Sequence, residues 1–254
     1  MAKTLGVILL LAVCAYAAAC VVLFFSQRSL IYFPPRTAAF PAPETSTLAV
    51  PGATLLVSER PVDGPKALLY LGGNAEDVSA SLPLLARAFP ERSLYLLHYR
   101  GYAGSTGHPT EAALVADALA LFDRVAARHD DIVVVGRSLG AAVAVQVASS
   151  RPVGKLVLVT PFHSLRGLAA QQFPYFPVRW LLRDSYDAWR NAPQVTAPTL
   201  ILAAGDDEII PAHSTHKLLA HFTKSVATMR VIQETGHNSI SDSPEYSRAL
   251  QWAR

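Results

Sequence analysis

Three polar positions interrupt otherwise apolar or turn-like stretches of this chain, in the order Ser138, Asp206-Asp207, His237. Ser138 sits in Gly136-Arg137-Ser138-Leu139-Gly140, between the oily run "IVVV" and the small-residue run "AAVAVQVA". A serine hydroxyl is too weakly acidic to attack a carbonyl at neutral pH, so an imidazole must take its proton. A carboxylate then fixes the imidazole tautomer and stabilises the cation that forms. Serine, then acid, then histidine is one of the chain orders in which this acyl-transfer chemistry occurs. The residues alone leave Asp206 and Asp207 open: in "GDDEIIP" one carboxylate serves the histidine while the other bonds the turn, with Glu208 a distant third.

The glycines around Ser138 permit a sharp strand-to-helix turn in which larger side chains would clash. The helix that follows aims its amino end at the serine and favours negative charge there. A tetrahedral oxyanion needs backbone N–H donors. Leu139, directly after the nucleophile, supplies one; the second is assigned to Asn74 in "LGGNAED", where Gly72-Gly73 let the backbone come close. Gly73, Phe162 and His163 are the expected substrate-binding residues.

Among eight histidines, only His237 follows the last apolar run with a glycine before it. His98 and His163 stand at the ends of apolar runs and are candidates to line a pocket; His108 belongs to a loop and His129 to a helix end. His213, His216 and His221 share the helical stretch "HSTHKLLAHF", but their angular spacing is poor for three metal ligands, so a solvated face is expected. Neither a metal nor a cofactor is called for.

These residues need a frame that holds them together. "KALLYLGG" (66–73), "SLYLLHYRG" (93–101), "IVVVGRS" (132–138), "KLVLVTPF" (155–162), "TLILAAGDD" (199–207) and "TMRVIQETGH" (228–237) read as strands covered on both faces. Val115, Ala118, Leu119, Phe122, Val125 and Ala126 recur at helical spacing after Pro109-Thr110-Glu111. Strand and helix in alternation mean an α/β fold with a mostly parallel central sheet and helices on both faces. In such sheets functional residues gather on loops at the carboxyl ends of the strands, which is where Ser138, Asp206-Asp207 and His237 fall.

The 254 residues are 51% hydrophobic and 16% charged, enough apolar content for a large core and against disorder. A net charge of +3, with 17 Arg and 5 Lys scattered along the chain, gives no cluster that tracks phosphates, so nucleic acid is not an expected partner. Leu5 to Phe25 runs 21 residues without a charge, long enough to cross a bilayer. A cleaved signal peptide is the rival reading, but "VVLFF" continues the apolar run past the small residues Ala17-Ala18-Ala19. The expected organisation is a membrane anchor at 1–26, a Pro-rich linker at 27–52 and one catalytic domain at 53–254. A single-pass placement in a bacterial inner membrane is expected, with the side undecided, because Lys3 faces Arg28 and Arg36 across the span. Both cysteines, Cys14 and Cys20, lie in the anchor, which closes off disulfide and thiol chemistry elsewhere.

Taken together, "QRSLIYFPP" (27–35), "LYLGGNAEDVS" (69–79), "YRGYAGSTGHPTE" (99–111), "VVVGRSLGAAVA" (133–144), "TPFHSL" (160–165), "APTLILAAGDDEIIP" (197–211) and "GHNS" (236–239) resemble the α/β-hydrolase superfamily and its Bem46-type branch. The resemblance covers most of the chain after the anchor. It implies a Ser138–His237–Asp207 triad, because the acid in similar proteins stands four residues before the proline that is Pro211 here. It also implies a short lid at 162–189, and hydrolysis of small-molecule or lipid-like acyl esters or thioesters through an acyl-enzyme. One departure is Gly72, where many members carry a histidine before the oxyanion glycine. A peptidase of the same fold and a non-catalytic binding or scaffold protein are the competing readings. Oligomeric state is not legible.

Overall fold

In the computed structural model of this chain, residues 1–35 and 44–254 are described. The chain opens with α1 (Ala2–Ile31), a 30-residue helix with mean hydropathy 2.9 over its most apolar window, long and apolar enough to cross a membrane. Two strands follow, β1 (Glu44–Val50) and β2 (Ala53–Arg60), joined by the Pro51-Gly52 turn.

The six expected apolar runs become β3 (Lys66–Leu71), β4 (Ser93–Leu97), β5 (Asp131–Arg137), β6 (Lys155–Val159), β7 (Thr199–Ala204) and β8 (Ala227–Ile232). Each strand stops before its run does. The polar tails of the runs form loops at the carboxyl edge of the sheet, where the chemistry-bearing residues lie. Among the described residues the sheet has eight strands in the order β1-β2-β4-β3-β5-β6-β7-β8. β2 is antiparallel to both β1 and β4; every other pairing is parallel.

The segment expected as linker, 27–52, is therefore corrected at both ends: α1 continues to Ile31, and 44–50 is an edge strand. The prolines at 41 and 43 forbid a helix but not a strand that begins just after them, and alternate β1 positions are half-buried. The stretch between, 36–43, including Arg36, lies outside the described residues.

Helices cover both faces. α2 (Leu82–Ala88) and α9 (Pro244–Leu250) pack on one side, and α3 (Glu111–Ala126), α4 (Leu139–Ala148), α7 (Ala188–Asn191) and α8 (Ala212–Leu219) on the other. Neighbouring strand residues serve opposite cores: Leu69 and Leu71 join the α3/α4 side, Leu68 and Tyr70 the α2/α9 side. Each such buried aliphatic side chain contributes about 1.5–3 kcal/mol of burial free energy. α3 starts where Pro109-Thr110-Glu111 indicates, its Thr110 side chain accepting from the Ala113 amide. Between β6 and β7 the chain makes an excursion carrying α5 (Leu165–Gln172) and α6 (Val178–Leu181) over the carboxyl edge, then α7.

Candidate active site

β5 delivers the chain to the centre of the carboxyl edge, and α4 leaves it immediately. Ser138 sits at the joint with φ 50° and ψ −113°, a strained conformation held because the structure around it leaves no other. Its amide donates to the Val159 carbonyl at 2.9 Å, tying it to the end of β6. The flanking glycines are required by close approach. A Cβ on Gly136 would lie 2.5 Å from the Gly140 carbonyl oxygen, and one on Gly140 would lie 2.1 Å from that of Leu71. The α4 helix thus presses directly on the ends of β3 and β5, and its small residues let it do so.

His237 and Asp207 arrive from the loops after β8 and β7. His237 Nε2 stands 3.0 Å from Ser138 Oγ, and its Nδ1 stands 3.0 Å from each Asp207 carboxylate oxygen. Both side chains are nearly buried, at 5% and 8% exposure, so the pair is shielded from competing water. Burial alone raises the Asp207 carboxyl, but the hydrogen bonds from His237 and from the Ile210 and Ile209 amides outweigh it and hold the group below the ordinary carboxylate range. Asp206 is exposed and is engaged through its backbone, its amide donating to the Thr235 carbonyl at 2.9 Å. Glu208 accepts from the His237 amide at 3.0 Å and so braces the histidine loop from outside.

The loop after β3 lies against the serine: a Cβ on Gly73 would meet Ser138 Cβ at 3.6 Å. The Gly73 amide is already committed to Glu76 Oε2 at 2.6 Å, which makes Asn74 the next N–H along the loop. Leu139 is the first residue of α4, where a helix leaves its amides unpaired.

Several participants carry no motif. Glu76 also accepts from the Tyr70 hydroxyl at 2.6 Å and the Ser81 hydroxyl at 2.8 Å, and it faces Arg137 at 3.8 Å. Arg137 in turn donates to the His237 and Asn238 carbonyls at 3.4 and 3.3 Å. One half-buried carboxylate and the arginine beside the serine therefore tie the Gly73 loop to the His237 loop. The only sequence signal is a glutamate three residues after a Gly-Gly pair.

Above Ser138 and His237 opens a cavity of about 810 Å³. Its walls are mainly apolar, from the end of α1 (Leu23, Leu30), from the β6–β7 excursion (Phe173, Leu181) and from Phe162. Gly73 and Phe162, two of the residues expected to bind substrate, line it. His163 does not: its ring stacks on Trp189 with centroids 5.7 Å apart, and its Nε2 stands 3.3 Å from His221 Nε2. The strand end points this side chain into the crevice between α7 and α8. His98 is likewise buried away from the cavity, with Nε2 2.8 Å from Ser58 Oγ. The contribution of α1 was not expected from the sequence, because a candidate membrane helix gives no periodic sign of packing on a domain.

The sequence profile of the alpha/beta hydrolase family matches residues 48–195, and that of serine aminopeptidase S33 matches residues 168–244. An uncharacterised protein of Mycobacterium tuberculosis is 36% identical over 249 residues, covering 89% of this chain and 86% of its own. Protein bem46 of Schizosaccharomyces pombe is 31% identical over 170 residues, 62% of this chain and 56% of that protein. The esterase Pf2001 of Pyrococcus furiosus superposes with a TM-score of 0.71 at 15% identity, covering 87% of this chain and 95% of the esterase.

Proposed function

The chain belongs to the alpha/beta hydrolase family, of the Bem46-like kind, and from that membership we propose that it is a serine hydrolase of carboxylic ester or thioester bonds. The observation that carries this reading is the relay Ser138–His237–Asp207, with 3.0 Å at each step, opening into an apolar cavity. His237 Nε2 takes the Ser138 proton as Oγ bonds to the acyl carbon. Asp207 holds the imidazole by Nδ1 and stabilises its cation. The oxyanion accepts from the Leu139 and Asn74 amides. Collapse breaks the bond to the leaving alcohol or thiol, which takes the proton from His237, and the acyl group stays on Ser138. Water, deprotonated by His237, then releases the acid and restores the serine.

In this reading α1 anchors the domain to a membrane in a single pass, in a bacterial cell the inner one, and the 162–189 excursion acts as the lid over the acyl pocket. The substrate is a small or lipid-like acyl ester. Labelling by a fluorophosphonate probe tests the assignment. Wild-type protein is expected to be labelled and Ser138→Ala to be silent; equal labelling of both sinks it. A folded wild-type protein that takes no label at all leaves the fold as a binding scaffold.

A peptidase of the same chemistry is the second reading, favoured by the match of residues 168–244 to serine aminopeptidase S33. Parallel assays on p-nitrophenyl acyl esters and on aminoacyl p-nitroanilides separate the two.

A further inference from the structure

The β6–β7 excursion does more than cover the cavity: it climbs along α1 toward the amino terminus of that helix. At its base Arg28 Nε donates to Asp184 at 2.9 Å, and Gln27 bonds the Leu181 carbonyl at 3.1 Å and the Arg183 amide at 2.7 Å. Higher up, the Arg183 guanidinium lies over the Phe24 ring at 5.8 Å. At the tip, the Tyr16 hydroxyl donates to the Tyr175 carbonyl at 2.9 Å, and the Tyr16 ring stacks on Phe176 at 5.9 Å.

Position along α1 converts to depth. Tyr16 lies nine residues inside Phe25, the end of the uncharged run, which at 1.5 Å per residue is about 14 Å of helix. The hydrocarbon core of a bilayer is about 30 Å thick, so if α1 spans it, the tip of the excursion sits about one leaflet deep. The side chains there match that place. Tyr175 is 86% exposed and Trp180 87%, two aromatic side chains on the outside of a short segment, and Phe173 beside them is 43% exposed at the cavity wall. The exposed Arg179 and Arg183 have stems long enough to carry their charges back to the headgroups.

We propose that residues 173–183 are immersed in the leaflet that α1 crosses, and that the cavity mouth between α1 and this segment takes acyl chains sideways from the bilayer. The cavity walls support the direction of travel: Leu23 and Leu30 of α1 face Phe173, Phe176 and Leu181 across it, with Ser138 and His237 at its floor. The substrate is then an amphiphile resident in the membrane rather than a dissolved ester. This rests on the hydrolase reading for the acyl step, but the immersion itself does not.

Two measurements on the full chain, reconstituted in phosphatidylcholine vesicles, test it separately. In vesicles whose acyl chains carry bromine at mid-chain, the emission lost on going from unbrominated lipid is expected to be larger for wild type than for Trp180→Phe, because the Trp180 share is quenched. Equal loss in the two proteins overturns immersion. For access, Tyr175→Ser/Trp180→Ser, which alters no cavity-lining residue, is expected to lose about tenfold in hydrolysis of a long-chain acyl ester held in the vesicles while keeping its rate on dissolved p-nitrophenyl butyrate. No loss, or equal loss on both esters, overturns lateral access. If wild type turns over neither ester and takes no fluorophosphonate, the hydrolase reading has failed instead, and the quenching result still decides the immersion.

Discussion

The side-chain amide of Asn74 donates to the carbonyl of Ile31 at 2.6 Å, joining the loop that lies against Ser138 to the last residue of α1. Its oxygen accepts from the Phe33 amide at 3.1 Å and from the Tyr102 hydroxyl at 2.8 Å. The same residue is proposed to present its backbone N–H to the oxyanion. The position of that donor is therefore set by where the helix ends. Asn74→Ala keeps the backbone amide and removes the clamp. It is expected to lower kcat on a soluble ester by about ten- to a hundredfold, the scale of a small misplacement of a reacting group, with little change in KM. Unchanged kcat in a folded variant separates the donor from α1.

Asp207, not Asp206, faces His237. Asp207→Asn keeps a polar group of the same shape but offers the imidazole a neutral partner, and is expected to cost about 10³–10⁴ in kcat. Asp206→Asn, on an exposed side chain, is expected to stay within about twofold of wild type. Ester hydrolysis by the two variants, compared at one pH, checks both; a reversed order overturns the assignment.

Gly140 lies under the Leu71 carbonyl with no room for a methyl group, since a Cβ there would sit 2.1 Å from that oxygen. Backbone, not a flexible side chain, is the obstacle. Gly140→Ala is expected to destabilise by about 1–3 kcal/mol or more and to move the serine turn with it. Thermal unfolding in detergent micelles and fluorophosphonate labelling should both fall; an unchanged Tm with full labelling contradicts the packing.

What the sequence made legible follows from what each feature depends on. Ser138, the Asp206-Asp207 pair and His237 stand out as candidates because they punctuate short apolar runs at strand ends, whereas the choice of Asp207 within the pair comes from the family resemblance and not from the residues themselves. β1 and β2 are not legible, because the polar residues of ETSTLAV and ATLLVSER come in blocks and do not follow the alternating burial of an edge strand. His163 was misplaced because sequence gives a residue's station on a strand but not its rotamer. Glu76 and Arg137 were invisible as partners: they stand 61 residues apart, and nothing local pairs them. The apolar residues of α1 that line the cavity carry no signature, since they look like the rest of the oily run. Gln27 and Arg28, polar side chains near the end of that helix, mark the contact, Gln27 by its burial and Arg28 by its ion pair with Asp184.

His98 gives the stability of the domain a pH dependence whose sign follows from its burial. It lies at the end of β4, buried beside Ser58, and desolvation pushes its pKa down, against a smaller opposing pull from the Asp77 charge. An unfolded histidine takes up its proton near pH 6.5, while the folded one remains neutral to lower pH. Below that pH the unfolded state binds more protons than the folded state, so the stability contributed by neutral His98 is complete above about pH 6.5 and is lost as the pH falls toward the folded value. His163 is displaced in the same direction, by partial burial and then by the nearby His221 and Lys217 charges, and adds to the effect. His98→Gln keeps a polar group beside Ser58 but cannot titrate, while His163 is left in place. Between pH 7.5 and pH 5.5 the Tm of wild type in detergent is expected to fall further than that of His98→Gln, the difference isolating His98. Equal falls in the two proteins would mean that His98 is protonated as easily inside the fold as outside it, and would overturn the prediction.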